Sequence, residues 1–273
     1  MPAPAGSGHL DVPGGRLYYE ISGTGPPLVF LHAGIADRRM WDREFVGNAK
    51  RATTVRYDRR GFGWSPAATA SYSDVEDLAA LLAQVGRGPA LLVGCSNGGR
   101  LAIDFALTHP GSVRALLLVS GGITGFDLPL DPEGKPDFDR DNERSMKIVE
   151  AWSAGRKEEA MEMMREYWCS ALTGPNLGLA RLMIHDNAEE IFTDRSAHFS
   201  RAPEPPAVER VGSLKVPTVA MWGDRDEPTT GRIVRWVAQH LPGARYVQVP
   251  GADHLINLSR PEAFDHALAS LLG

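Results

Sequence analysis

The sequence predicts an α/β protein built on a mostly parallel eight-stranded sheet, with helices on both faces and a helical cap inserted late in the chain. Three observations carry this reading. Short β-branched or Leu-rich runs alternate with longer segments of helical periodicity, the pattern of strand–helix–strand units. The runs "PPLVFLH" (Pro26 to His32), "PALLVG" and "VRALLLVS" are continuously apolar, as strands buried on both faces must be. The alternation then stops between Ile123 and Arg210, where no strand-like run occurs and 18 acidic residues face 11 basic ones.

The elements follow in order. "HLDV" and "RLYYEIS", joined by "PGG", read as an antiparallel hairpin at the sheet edge, with Gly14 and Gly15 supplying the turn. "PPLVFLH" opens the parallel core. "RRMWDREFVGNAK" is expected to be helix, "TTVRYD" strand and "RRGFGWSP" loop. In "SDVEDLAALLAQVG", Ser73 and Glu76 form a capping-box pair at the start of a helix, and Gly86 ends it. Strands "PALLVG" and "VRALLLVS" flank the helix "NGGRLAIDFALTHP". After the insertion, "VPTVAMWG" and "ARYVQVPG" repeat the strand pattern, and "RPEAFDHALASLLG" is the last helix. The expected division is a core over 1–122, a cap over 123–210 and the rest of the core over 211–273. The Pro-rich "RAPEPPAVE" (Arg201 to Glu209) reads as a stiff return segment.

Composition narrows the class of function. With 43% hydrophobic and 23% charged residues among 273, the chain can bury a sizeable core without disulfides or metals. A net charge of -5 argues against a nucleic-acid partner, which needs a positive surface to displace counterions. Cys95 and Cys169 are too far apart for a metal-type pair and too few for a disulfide framework, so no metal or cofactor is expected and a reducing cytoplasm fits. No secretory leader and no membrane span are legible. A small-molecule substrate is the expected partner, and the oligomeric state is not encoded in any pattern found.

The stretch "LLVGCSNGGRLA" places two potential nucleophiles side by side. Gly94-Cys95-Ser96-Asn97-Gly98 matches G-x-S-x-G where a buried strand ends and a helix begins. A residue there is forced into a strained turn that projects its side chain above the sheet, and the residues two before and two after must be very small. For Ser96 those residues are Gly94 and Gly98; for Cys95 they are Val93 and Asn97. Ser96 is therefore the candidate nucleophile and Cys95 an inert filler.

A serine hydroxyl needs a base to take its proton, and the base needs a carboxylate to hold its tautomer. On doubly wound sheets the acid and the histidine follow the nucleophile, on loops after late strands. Of the late histidines, His240 and His266 fall inside helices, whereas His254 in "VPGADHLINL" directly follows the last strand. For the acid, "MWGDRDEPT" offers Asp224, Asp226 and Glu227, and Asp226 is preferred because the Gly223 turn needs room before a side chain can swing back. Asp224 reads as a carboxylate that braces the loop, and Asp127 is a more distant alternative. An oxyanion needs two backbone N–H donors: Asn97 by position, and Gly34, with Ala33 second, from "LHAGIAD". His32 reads as a brace for that loop.

The stretches "FLHAGIADRRMWD", "YDRRGFGWS", "GCSNGGRLAIDFALTHPGSVRALLLVS", "WGDRDEPT" and "GADHLINLSRPEAF" together resemble the α/β-hydrolase fold family over nearly the whole chain. The resemblance implies that Ser96, Asp226 and His254 match the family's nucleophile, acid and base, and that residues 123–210 match its cap. Ala33 departs from the usual glycine of the oxyanion loop. The family hosts many chemistries, but its dehalogenases and epoxide hydrolases carry Asp at the elbow, so Ser96 speaks against both. The plain expectation is a serine esterase or lactonase acting on small to medium, largely apolar substrates through an acyl-enzyme. A C–C bond hydrolase, lyase or perhydrolase with the same triad is the alternative among enzymes, and a non-catalytic ligand-binding receptor is the alternative of another class. Candidate pocket residues are Ala33, Trp152, Met164, Trp168 and Leu255, drawn with Met161, Met163, Tyr167, Phe192 and Phe199 from the apolar complement of the cap and the loops.

Overall fold

A computed structural model describes residues 6–86, 88–127, 131–192 and 200–272. In chain order the elements are β1 (Gly6–Val12), β2 (Gly15–Ser22), β3 (Pro27–Leu31), α1 (Asp42–Asn48), β4 (Thr53–Tyr57), α2 (Asp74–Val85), β5 (Ala90–Cys95), α3 (Asn97–Thr108) and β6 (Val113–Val119). The helices α4 (Lys135–Ser153), α5 (Lys157–Trp168), α6 (Gly174–Asp186), α7 (Ala188–Phe192) and α8 (Ala207–Arg210) follow. The chain ends with β7 (Thr218–Gly223), α9 (Pro228–His240), β8 (Arg245–Val249), α10 (Ile256–Ser259) and α11 (Pro261–Leu272).

The eight strands form one sheet in the order β1-β2-β4-β3-β5-β6-β7-β8. β1 and β2 pair antiparallel, as do β2 and β4, and every other pairing is parallel. The apolar runs explain the centre of the sheet: β3 and β5 are buried at every position, because helices cover both faces. On one face Val29, Leu31, Leu92 and Leu116 pack against α2, α3 and α9 through Leu78, Leu81, Phe105 and Val234. On the other, Leu28, Phe30, Leu91 and Leu117 meet α11 and α6 through Phe264, Leu268, Met183 and Ile184. Trp41 lies between Phe30 and Phe264, with ring centroids at 5.3 and 5.8 Å. Each fully buried side chain of this size contributes about 1.5–3 kcal/mol of transfer free energy.

Local chemistry sets the element ends. Ser73 Oγ accepts the N–H of Glu76 at 3.3 Å and caps α2, and Gly86 closes it at φ +60°. Two details differ from the sequence reading. The hairpin turn is Pro13-Gly14, with Gly14 at φ +70°, while Gly15 already pairs with Val12 in the ladder. The stretch "RRMWDREFVGNAK" is not one helix: Asp37 caps a single 3₁₀ turn over Arg38–Trp41 by accepting the Arg39 N–H, and α1 starts only afterwards. Among the described residues no helix is long and apolar enough to cross a membrane.

Because β3 to β8 run parallel, their carboxyl ends share one edge of the sheet. The loops after β3, β5, β7 and β8 meet there, and the helical insertion leaves from the same edge after β6. At its far end the insertion rejoins the core, with Ala207 of α8 buried in the cluster that includes α3.

Candidate active site

The turn between β5 and α3 holds Ser96 at φ +55° and ψ -116°, in the left-handed region that β-substituted residues avoid. Its neighbours show why the chain needs glycines there. A Cβ at Gly94 would stand 2.3 Å from the Gly98 carbonyl oxygen, and one at Gly98 would stand 2.2 Å from the Leu31 carbonyl oxygen of β3. The turn is held from behind by the Ser96 N–H, which donates to the Val119 carbonyl of β6 at 2.9 Å. Ser96 keeps partial exposure, whereas Cys95 is fully buried. Burial, then the nearby Asp226 charge, pushes the Cys95 thiol far above the ordinary range. Ser120, at the end of β6, is the other described non-glycine residue at positive φ, a strained position marked by no local sequence signal.

The loops after β7 and β8 bring His254 and Asp226 together. His254 Nδ1 lies 2.8 and 3.0 Å from the two Asp226 carboxylate oxygens, and both residues are buried. Asp226 Oδ1 also accepts the Glu227 N–H at 2.8 Å. The loops can approach so closely because residue 223 is glycine: a Cβ there would stand 2.3 Å from the Ala252 carbonyl oxygen. Asp224 braces the same junction by accepting the Gly251 N–H at 2.6 Å. The His254 carbonyl lies 3.5 Å from Cys95 Sγ, so the loop after β8 rests directly against the elbow. His240 ends α9, His266 lies within α11, and Asp127 is exposed.

The loop after β3 abuts the elbow from the other side. The Asn97 side-chain amide nitrogen occupies the space that a Cβ on Gly34 would need, at 2.4 Å, so the Asn97 side chain lies against Gly34. The Ala33 N–H is already directed at Met40 Sδ at 3.4 Å. Asn97 is the first residue of α3, whose N–H has no partner within the helix. His32 ties the loop down with both ring nitrogens: Nδ1–H donates to the Ala33 carbonyl at 2.8 Å, and Nε2 accepts the Arg59 N–H at 3.0 Å. Full burial, then the Arg59 charge, pushes the His32 pKa down to about 3, so the ring is neutral.

The pocket residues expected from sequence separate into two groups. The Trp168 ring stands 4.2 Å from the His254 ring, and its carbonyl accepts the His254 N–H at 3.2 Å. Ala33 and Leu255 are buried in the same core cluster, with Met164 packed on its margin. Trp152 instead stacks on Phe192 at 4.2 Å under the Lys157 ammonium, within the insertion. Met163 and Tyr167 line a shallow hollow of about 140 Å³ with Arg144 and Lys147, and Met161 lines another of about 360 Å³ with Arg181 and His185. Phe199 lies outside the described residues.

Polar links between insertion and core, among them two centred on Arg144 and Asn187, escaped the sequence reading. Arg144 of α4 donates to Glu227 at 2.5 Å, and Asn187 donates to Asp37 while accepting the Gly63 N–H, at 2.8 and 2.7 Å. Burial, then a hydrogen bond with the Asp141 carboxyl, pushes Glu227 up to about 7. Only the adjacency of Glu227 to Asp226 was available as a signal; nothing local marks Arg144 or Asn187.

A strained serine after the central strand β5 and a buried imidazole–carboxylate pair on the loops after β7 and β8 thus lie at one edge of the sheet. The chain belongs to the alpha/beta hydrolase fold family, whose model matches residues 26–261. It is 25% identical over 268 residues to 2-(acetamidomethylene)succinate hydrolase of Mesorhizobium japonicum, covering 94% of this chain and 92% of that one. It is 28% identical over 269 residues to the pimeloyl-[acyl-carrier protein] methyl ester esterase of Chromobacterium violaceum, covering 94% and 98%. The fold is shared with a thermophilic esterase from Thermogutta terrifontis at a TM-score of 0.77 and 24% identity, over 99% and 98% of the two chains.

Proposed function

We propose that the protein is a serine hydrolase that cleaves carboxylic esters or lactones of small to medium, largely apolar substrates through an acyl-enzyme. The observation that carries the reading is the buried His254–Asp226 pair, at 2.8 and 3.0 Å, with the His254 loop resting against the Ser96 elbow. Asp226 occupies Nδ1, so Nε2 is the nitrogen left to act as base. Ser96 Oγ attacks the carbonyl carbon as Nε2 takes its proton, and the carbon–oxygen π pair moves to the oxyanion. The N–H groups of Asn97 and Gly34 hold that oxyanion, a role supported by the contact of the Asn97 side chain with Gly34 and by the engagement of the Ala33 N–H elsewhere. Collapse expels the alkoxide, which takes the proton from Nε2; water activated by the same nitrogen then releases the acid.

The helical stretch 123–210 serves in this reading as the cap over the site, with Trp168 forming part of the wall. The names of the relatives, a hydrolase and a methyl ester esterase, support the reaction class. The test is Ser96→Ala assayed on nitrophenyl esters of graded chain length and on lactones. Activity should fall by about 10³-fold or more, and labelling by a fluorophosphonate should vanish with it. A variant that keeps a tenth of the wild-type rate defeats the assignment.

A further inference from the structure

The loops that carry the acid and the base are fastened to one short piece of the insertion. Besides the Trp168 carbonyl, which accepts the His254 N–H at 3.2 Å, the Ala171 N–H donates to Asp253 at 2.9 Å and Ser170 Oγ donates to the Arg225 carbonyl at 3.4 Å. Residues 168–171 are thus bonded to both loops, beside Asp226 on one and His254 on the other. The Trp168 indole lies at 4.2 Å and 43° to the imidazole, and it is backed by the Tyr167 ring at 4.4 Å. Tyr167 is buried and covered in turn by the Arg144 guanidinium at 4.5 Å. This backing fixes the indole against the imidazole.

The chemistry says which part of a substrate meets that ring. With Nδ1 held by Asp226, the proton goes from Nε2 to the leaving oxygen as the acyl carbon–oxygen bond breaks and its electron pair moves to that oxygen. The leaving oxygen must therefore come within hydrogen-bond reach of Nε2, a few ångströms from the imidazole that Trp168 covers. The acyl chain leaves the same carbon in another direction, toward neither nitrogen. The geometry points to Trp168 as the residue that sets specificity for the alcohol portion of the substrate, admitting compact or flat uncharged alcohols and rejecting bulky branched ones. This inference rests on the serine-hydrolase reading, with His254 as base.

The experiment uses two ester series on wild type, Trp168→Ala and Trp168→Phe. One series holds a butyryl acyl group and varies the alcohol from methyl through isopropyl to tert-butyl. The other holds the nitrophenyl alcohol and varies the acyl chain. Trp168→Ala should shift kcat/KM for tert-butyl relative to methyl by about tenfold or more toward the bulky alcohol, with the acyl-length profile unchanged and Trp168→Phe intermediate. Where hydrolysis of the acyl-enzyme limits turnover, kcat for the shared butyryl group should not move, because the alcohol has already left. A shift in the acyl series without one in the alcohol series overturns the assignment, as does a uniform fall in kcat/KM for every alcohol, which marks a purely structural residue. Titration with an organophosphate that releases nitrophenol counts active sites in each variant, and Trp168→Phe covers the case in which the alanine variant fails to fold. A burst of nitrophenol from Ser96→Ala in the same titration marks failure of the underlying reading, and it is separate from the selectivity ratio.

Discussion

His32 gives the clearest link between a buried group and a measurable stability. Its ring is fully buried and neutral, with the pKa pushed down to about 3, whereas an imidazole in the unfolded chain titrates near 6.5. The sign follows from proton counting. Below pH 6.5 the unfolded chain takes up a proton that the native chain refuses, so stability is fully present above 6.5 and is lost as pH falls toward 3. Between pH 7 and pH 5 the loss from this one group is about 2 kcal/mol, and any folded value below about 4 gives the same result. Replacing His32 with Gln keeps an acceptor for the Arg59 N–H but removes the titration. The variant should be less stable than wild type at pH 7, through the lost contact with the Ala33 carbonyl and with Phe62, whose ring lies 4.9 Å from the imidazole. Its disadvantage should then shrink by about 2 kcal/mol at pH 5. Urea unfolding followed by tryptophan fluorescence at pH 5, 6 and 7 measures this, and other titrating groups cancel in the difference. A stability difference that stays constant across those pH values refutes the neutral, doubly bonded ring.

Two further outcomes follow from the same geometry. Gly98→Ala puts a Cβ 2.2 Å from the Leu31 carbonyl oxygen, so the elbow must shift; ester hydrolysis should fall by about 10²-fold or more with a clear loss in Tm, while Gly111→Ala, with open space at its Cβ, should change neither. Glu227 is pushed up to about 7 from an ordinary 4.5, so the native state favours its protonated form, and the stability it contributes below 4.5 is lost as pH rises through 7. Glu227→Gln should therefore gain in Tm relative to wild type between pH 4.5 and 7 and hold that gain above; a difference that narrows with pH over this range contradicts the shift.

The features legible in the sequence are those with a local steric or periodic cause. The spacing of Gly94 and Gly98 around Ser96 is readable because the clashes it avoids arise within the turn and its neighbouring strand. The ends of α2 are readable because a cap is a matter of one side chain and one N–H, or of one glycine at positive φ. Misreadings occurred where the deciding partner is not local. In the hairpin, Gly15 was free to be turn or strand until its pairing with Val12 was known. The 3₁₀ turn before α1 depends on the loop after β4, where Asp58 accepts the Arg38 N–H from twenty residues away.

The candidate site divides along the same line. Parallel pairing from β3 to β8 puts every strand's carboxyl end on one edge, so residues directly following β3, β5, β7 and β8 are neighbours by topology. Strand order and hydrophobic runs therefore suffice to propose Gly34, Ser96, Asp226 and His254 as one group. The insertion has no such constraint. Its helices α4 and α5 are amphipathic, and amphipathicity says that Trp152 and Trp168 both seek cover without saying from what. Trp152 finds Phe192 inside the insertion, while Trp168 finds the imidazole. What separates the two is the short segment after α5, whose bonds to Asp253 and Arg225 fix Trp168 beside His254. A residue in an inserted segment is thus best assigned to a site by the backbone bonds that tie its neighbours to the core. By that criterion Trp168, with its own carbonyl bonded to the His254 N–H, is held beside the His254–Asp226 pair, whereas the stacking of Trp152 on Phe192 lies within the insertion.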